Sequence, residues 1–225
     1  AYPLIIFMTV KLADQKTILE DVKRLNKVYP NAKYYLNWST PLELFVAAIL
    51  SPQVRDEVVN SCTPKLFAAY KTARDYATAN LKEFIEIIKP ISFPAMKAAR
   101  IQKACKILVE KFNGKVPDTM EELTKIPGIG RKTANTILMN AFGKVLGIPV
   151  DTHVQRLSYR LGWTKNKNPD KIEQDLMKLI PKEHWKIIPY QLKAHGRAVC
   201  KAPIPDCTRC FLFDICPRNG VKKYN

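Results

Sequence analysis

Apolar residues recur at helical spacing along nearly the whole chain. From Gln15 to Tyr29, a stripe of Ile18, Leu19, Val22, Leu25 and Val28 predicts an amphipathic helix. Ser39-Thr40-Pro41-Leu42-Glu43 then combines a capping residue, proline at the first helical position and a Thr-x-x-Glu capping box. The run Leu44 to Leu50 is apolar on every side and predicts a central buried helix. Further helices are expected over 56–61, 63–71, 81–88, 95–112, 120–124, 131–142, 154–161, 170–180 and 185–197. Gly114, Pro117, Gly143, Gly162 and Pro181 punctuate them. No stretch alternates with a period of two. The pattern predicts an all-α protein in which a cysteine-rich loop follows the last helix.

With 225 residues the chain can bury a full core, in one large domain or two small ones. Lysine and arginine total 37 against 20 acids, a formal charge of +17 spread along the whole length. Such a body attracts polyanions, nucleic acid being the commonest, although a basic solvated surface gives the same count. No run of eighteen apolar residues exists, so no membrane span is expected. The opening segment from Tyr2 to Val10 is apolar but short. It lacks a basic leading segment and a small-residue cleavage site, so it reads as an edge strand, a clamp or a start peculiar to this chain. Cys62 and Cys105 sit in helical stretches and read as buried free thiols. Together these features predict an intracellular protein.

The remaining cysteines form Cys200-x6-Cys207-x2-Cys210-x5-Cys216, all within 17 residues, with Pro217 after the last. Thiols this close, in a chain read as intracellular, point to a metal centre rather than disulfides. Four thiolates suit either an iron–sulfur cluster or tetrahedral zinc. Zinc sites usually repeat short two-residue spacers on both sides, and only one pair here has that spacing, which favours iron–sulfur.

A second motif, Ile126-Pro127-Gly128-Ile129-Gly130-Arg131-Lys132-Thr133-Ala134, joins two predicted helices. Gly128 and Gly130 can adopt positive φ and bring backbone amides close to a phosphate. Gly130 also opens a helix, whose unpaired N–H groups and positive dipole end favour an anion. An ordinary glycine-capped turn is the alternative, and the proline, paired isoleucines and small Ala134 argue against it. Lys132, second in that helix, is electrostatically disfavoured as a cation, and a neutral amine there is a nucleophile. From position alone, a plain phosphate contact is the better reading of Lys132. Asp151, nineteen residues on, precedes Thr152-His153-Val154 and is placed to cap a helix. An ionised carboxylate there serves as a cap, as a base or as a stabiliser of developing positive charge. His153 and His195 read as structural.

The hairpin with Lys132, Val150-Asp151-Thr152-His153, His195-Gly196-Arg197 and the spaced cysteines, in this order, resemble the endonuclease III family of base-excision DNA glycosylases. The likeness runs from about Thr17 to Pro217. It implies a six-helix barrel over 34–144 carrying the helix–hairpin–helix, and a discontinuous domain over 1–33 and 145–225 with a [4Fe–4S] cluster on Cys200, Cys207, Cys210 and Cys216. It implies that Lys132 attacks C1′ of the deoxyribose, releases the base and promotes β-elimination, with Asp151 as carboxylate partner. Gly128, Gly130 and Arg131 would hold the DNA backbone. Gln53 would fill the gap left by the flipped base, and Phe93 would be the apolar wedge, a core aromatic being its alternative. Pro52 and Arg55 stand where the family commonly has Ala and Thr, and Arg55 adds a possible phosphate contact. The loop Lys201–Asp206 holds one base and one acid where relatives are basic, and the span from Lys132 to Asp151 is about one residue longer than usual in the family. A monomer acting on double-stranded DNA with damaged bases or abasic sites follows from the resemblance. The rival readings are a mismatch-directed thymine, uracil or adenine glycosylase, and a non-catalytic damage-binding module.

Overall fold

A computed structural model describes residues 10–225; the apolar opening segment, up to Thr9, lies outside the described residues. Among the described residues there are helices and no strand, and no helix is long and apolar enough to cross a membrane. The chain divides into two compact units, one of residues 34–146 and one of residues 1–33 with 147–225.

The unit 34–146 contains α2 (Pro41–Leu50), α3 (Asp56–Ala69), α4 (Ala73–Ala77), α5 (Leu81–Ile87), α6 (Pro94–Phe112), α7 (Met120–Thr124) and α8 (Arg131–Ala141). Every residue from Leu44 to Leu50 is buried, as the all-round apolar run predicts. Thr40 caps α2 by accepting from the Glu43 amide, and Glu43 in turn accepts from the Ser39 amide, one residue before the predicted partner. The expected break at Cys62 does not occur. Pro64 removes one N–H from the ladder, but Val59, Cys62, Leu66 and Phe67 bury one stripe and carry α3 across it. The sequence reading missed α4, although Thr72 and Asp75 cap it reciprocally. Cys62 and Cys105 are free and buried.

The other unit holds α1 (Gln15–Val28), α9 (Thr152–Arg160), α10 (Pro169–Leu179) and α11 (Ile188–Ala198), with 3-10 turns at Lys182–His184 and Cys207–Arg209. Its core gathers Ile18, Val22 and Leu25 of α1 with Val154 and Leu157 of α9, Ile172 and Leu176 of α10, and Ile188 and Leu192 of α11. The start of α11 is three residues later than expected from Trp185. Pro189 fits the first turn of a helix but not its interior, where its ring would meet the carbonyl of Trp185.

Candidate functional site

The hairpin is a Pro-Gly β-turn set between α7 and α8. The Ile129 amide donates to the Ile126 carbonyl at 3.1 Å, and Gly128 takes φ 91°, which the turn demands at its third residue. Ile126 and Ile129 are buried in the core, so they anchor the turn while both glycines face outward. Gly130 differs from expectation: it is extended, with φ −90° and ψ 175°, because it serves as the N-cap of α8. No atom lies within 4 Å of where a side-chain carbon on Gly130 would stand, so what its missing Cβ leaves is open space before a helix N-terminus. Arg131 and Lys132 occupy the first two positions of α8 and are exposed.

Arg100 of α6, which the sequence reading did not single out, completes this surface. It lines one open concavity with residues 124–130, and its aliphatic stem crosses Gly128. Helical spacing alone gives no sign that Arg100 would reach a turn near residue 128.

Gln53 and Phe93 are brought together. The Ser92 hydroxyl donates to the Gln53 carbonyl at 2.9 Å, and both Gln53 and Phe93 take left-handed backbone, at φ 58° and 57°. Phe93 is 58% exposed, which removes the core-aromatic alternative. Arg55 is an exposed residue at the N-cap of α3.

Asp151 caps α9 in the other unit: one oxygen, Oδ1, accepts from the amides of His153 and Val154, both at 2.9 Å. This fixes the carboxylate rotamer and starts α9 two residues before the predicted Val154. Two turns of α9 then present Arg156 and Arg160 at i,i+4. Arg156 donates to the carbonyls of Gly196 and Cys200, and Arg160 donates to the Lys201 carbonyl at 2.7 Å and to Cys200 Sγ at 3.3 Å. Their i,i+4 spacing puts both on one face of α9, but nothing near them in sequence points to Cys200.

All four cysteines, Cys200, Cys207, Cys210 and Cys216, line one cavity, together with Leu161, Val199 and Pro205. Burial pushes the Cys210 thiol up to about 11 and the Cys216 thiol up to about 12, and Cys207 is raised for the same reason. By themselves these sulfurs keep their protons at neutral pH; a bound cation draws the protons off. His195 Nε2 lies 3.4 Å from Cys210 Sγ, and its Nδ1 lies 3.3 Å from the Tyr29 hydroxyl. Burial holds His195 at about 4, so it is neutral, with one N–H to give and one nitrogen to accept. Among the described residues no three His, Cys, Asp or Glu groups converge as a single metal ion requires.

Residues 46–182 match the model of the HhH-GPD superfamily base excision DNA repair proteins. Endonuclease III of Synechocystis is 49% identical over 86% of this chain and 88% of its own length. Endonuclease III of Bacillus subtilis is 42% identical over 89% of this chain and 91% of its own. A solved trapped endonuclease III–DNA covalent intermediate superposes with a TM-score of 0.88 at 40% identity, covering 92% of this chain and 97% of that one. The chain therefore belongs to the endonuclease III family, within the HhH-GPD superfamily.

Proposed function

We propose that this chain is a bifunctional base-excision-repair enzyme, a DNA glycosylase and AP lyase that removes oxidised pyrimidines from duplex DNA and then cleaves the strand. The observation that carries the reading is the outward-facing Pro-Gly hairpin at the head of α8 with Lys132 in the first turn, within a fold shared with the endonuclease III–DNA covalent intermediate. Backbone amides at Gly128 and Gly130, with Arg131 and Arg100, hold the phosphodiester chain without reading sequence. Arg55 adds a further phosphate contact. Phe93 wedges the stack and Gln53 fills the gap when the damaged nucleotide is extruded.

Lys132 Nζ, deprotonated, attacks C1′; the C1′–N bond to the base breaks and the base leaves with the electron pair. Asp151, ionised, holds the positive charge that develops on the sugar as the base leaves, and afterwards takes the proton that the bonded amine sheds. Ring opening gives a Schiff base between Lys132 and C1′. Loss of a C2′ proton then expels the 3′-phosphate, and water returns the free amine.

Cys200, Cys207, Cys210 and Cys216 are the ligands of a [4Fe–4S] cluster. Four thiols that line one cavity fit a four-thiolate group, and their uneven spacing along the chain favours the iron–sulfur cluster over zinc. When bound it supplies folding energy and a fixed local charge. Arg160 would offset that charge at Cys200, and the neutral His195, whose Nε2 faces the Cys210 sulfur, would give its N–H to the thiolate. The glycosylase reading extends to a monomer that binds duplex DNA bearing damaged bases or abasic sites.

The test is a duplex with a single oxidised pyrimidine. Base release accompanied by a nick of the β-elimination type is expected. Base release without a nick would indicate a monofunctional glycosylase, and binding without either product a damage-recognition module.

A further inference from the structure

Gln53 and Phe93 share an unusual state. Each is a non-glycine residue in left-handed backbone, each is exposed, and Phe93 is followed by Pro94, which further narrows its allowed conformations. Asn113, the other such residue in the unit 34–146, ends a helix, where asparagine commonly takes this form. Gln53 is third in a turn that the Val54 amide closes on the Ser51 carbonyl at 3.1 Å, and Phe93 is the N-cap of α6, so each is set by its own turn and only the register between the two is left to what surrounds them.

Much of what surrounds them is a single side chain. Lys97 is 1% exposed and sits one turn into α6. Its main-chain N–H donates to the Phe93 carbonyl at 3.1 Å. Its ammonium crosses to the loop after α2, donating to the Leu50 carbonyl at 2.8 Å and the Pro52 carbonyl at 2.7 Å. Ser92 closes the circuit from the surface with its bond to the Gln53 carbonyl. Lys97 forms no ion pair among the described residues, and burial with the nearby Arg100 charge holds it at about 8. A buried cation answered only by carbonyls is a costly way to fill space, since a methionine of the same length would fill it with no charge to desolvate. Favourable charge at the carbonyl end of α2 accounts for its bond to Leu50 but not for its reach to Pro52, beyond the helix.

We propose that Lys97 is a positioning residue that locks the Gln53 and Phe93 loops in one register, so that amide and aromatic ring enter the duplex as a unit. The inference rests on the reading above in which these two side chains face DNA. Lys97 touches no reacting atom; it acts through the two loops.

Lys97→Met and Ser92→Ala test it on two substrates: a duplex with an oxidised pyrimidine, and a preformed abasic site facing a one-nucleotide gap, where no opposing base must be parted. Lys97→Met is expected to slow base release from the intact duplex by about tenfold or more, through kcat rather than KM, and to nick the gapped substrate within about twofold of wild type. Ser92→Ala, at an exposed site, is expected to show the same selectivity more weakly. Equal losses on both substrates, or no loss on the duplex, would overturn the latch. If Lys97→Met does not fold, Ser92→Ala decides on the same criterion. A wild type inactive on both substrates would overturn the glycosylase reading, and the latch with it.

Discussion

The stem of Arg100 lies across Gly128 so closely that a side-chain carbon on that glycine would stand 2.5 Å from Arg100 Cδ. The absent side chain at Gly128 thus permits the turn and also makes room for a cation beside it. Arg100→Ala is expected to lower the salt slope of duplex binding by about one, uniformly across sequences. Gly128→Ala adds left-handed strain of about 1–2 kcal/mol and displaces Arg100, so it should weaken binding further. Affinities measured across a series of salt concentrations check both; an unchanged slope in Arg100→Ala would remove Arg100 from the interface.

A close approach of another kind holds α9 against α11. A side-chain carbon on Gly196 would stand 2.7 Å from His153 Nδ1 and 2.8 Å from Arg156 Nη2. Arg156 uses the same nitrogen to hold the Gly196 and Cys200 carbonyls. Gly196→Ala is therefore expected to cost about 1–3 kcal/mol through overpacking and to loosen the first cysteine. Thermal unfolding and iron retention on dialysis read the two effects; a variant as stable and as iron-rich as wild type would contradict the packing argument.

Asp21 gives a pH dependence. Its carboxylate is buried, accepts from Trp163 Nε1 at 2.9 Å, and is pushed up from 3.8 to about 6 by desolvation. Because the folded-state value is the higher one, the folded protein holds the proton more tightly. Stability therefore falls as pH rises from about 4 to about 6, by about 3 kcal/mol in all, and stays reduced above that. Asp21→Asn keeps an acceptor for Trp163 and cannot ionise. It should melt higher than wild type at pH 8, with a smaller gain at pH 5. Equal gains at the two pH values would show that ionisation is not the cause.

Metal content separates the two thiolate chemistries. Purified protein is expected to be yellow-brown with about four irons per chain, and Cys210→Ala or Cys216→Ala to lose both colour and stability. Stoichiometric zinc without iron would replace the cluster assignment.

Much of this was legible in the sequence, and each exception has a physical cause. Local chemistry announced the buried α2 run, the Thr40 cap, the hairpin turn and the Asp151 cap, because each depends on residues a few positions apart. Gly130 opens α8 as expected, but in extended backbone, since glycine permits positive φ without requiring it and an N-cap calls for the extended form. The break expected at Cys62 failed because burial along α3 outweighs the bond lost at Pro64. Arg100, Lys97 and Arg160 were passed over because their partners lie 28, 47 and 40 positions away, at Gly128, Leu50 and Cys200. A lysine on a helix reads as a solvated charge until tertiary contacts bury it.

Covalent capture tests the central chemistry most directly. Borohydride added during reaction with an abasic duplex should leave a stable protein–DNA adduct, and peptide mapping should find the sugar remnant on Lys132 and nowhere else. Lys132→Ala should give no adduct. An adduct on another residue, or none with the wild-type protein, would contradict the account.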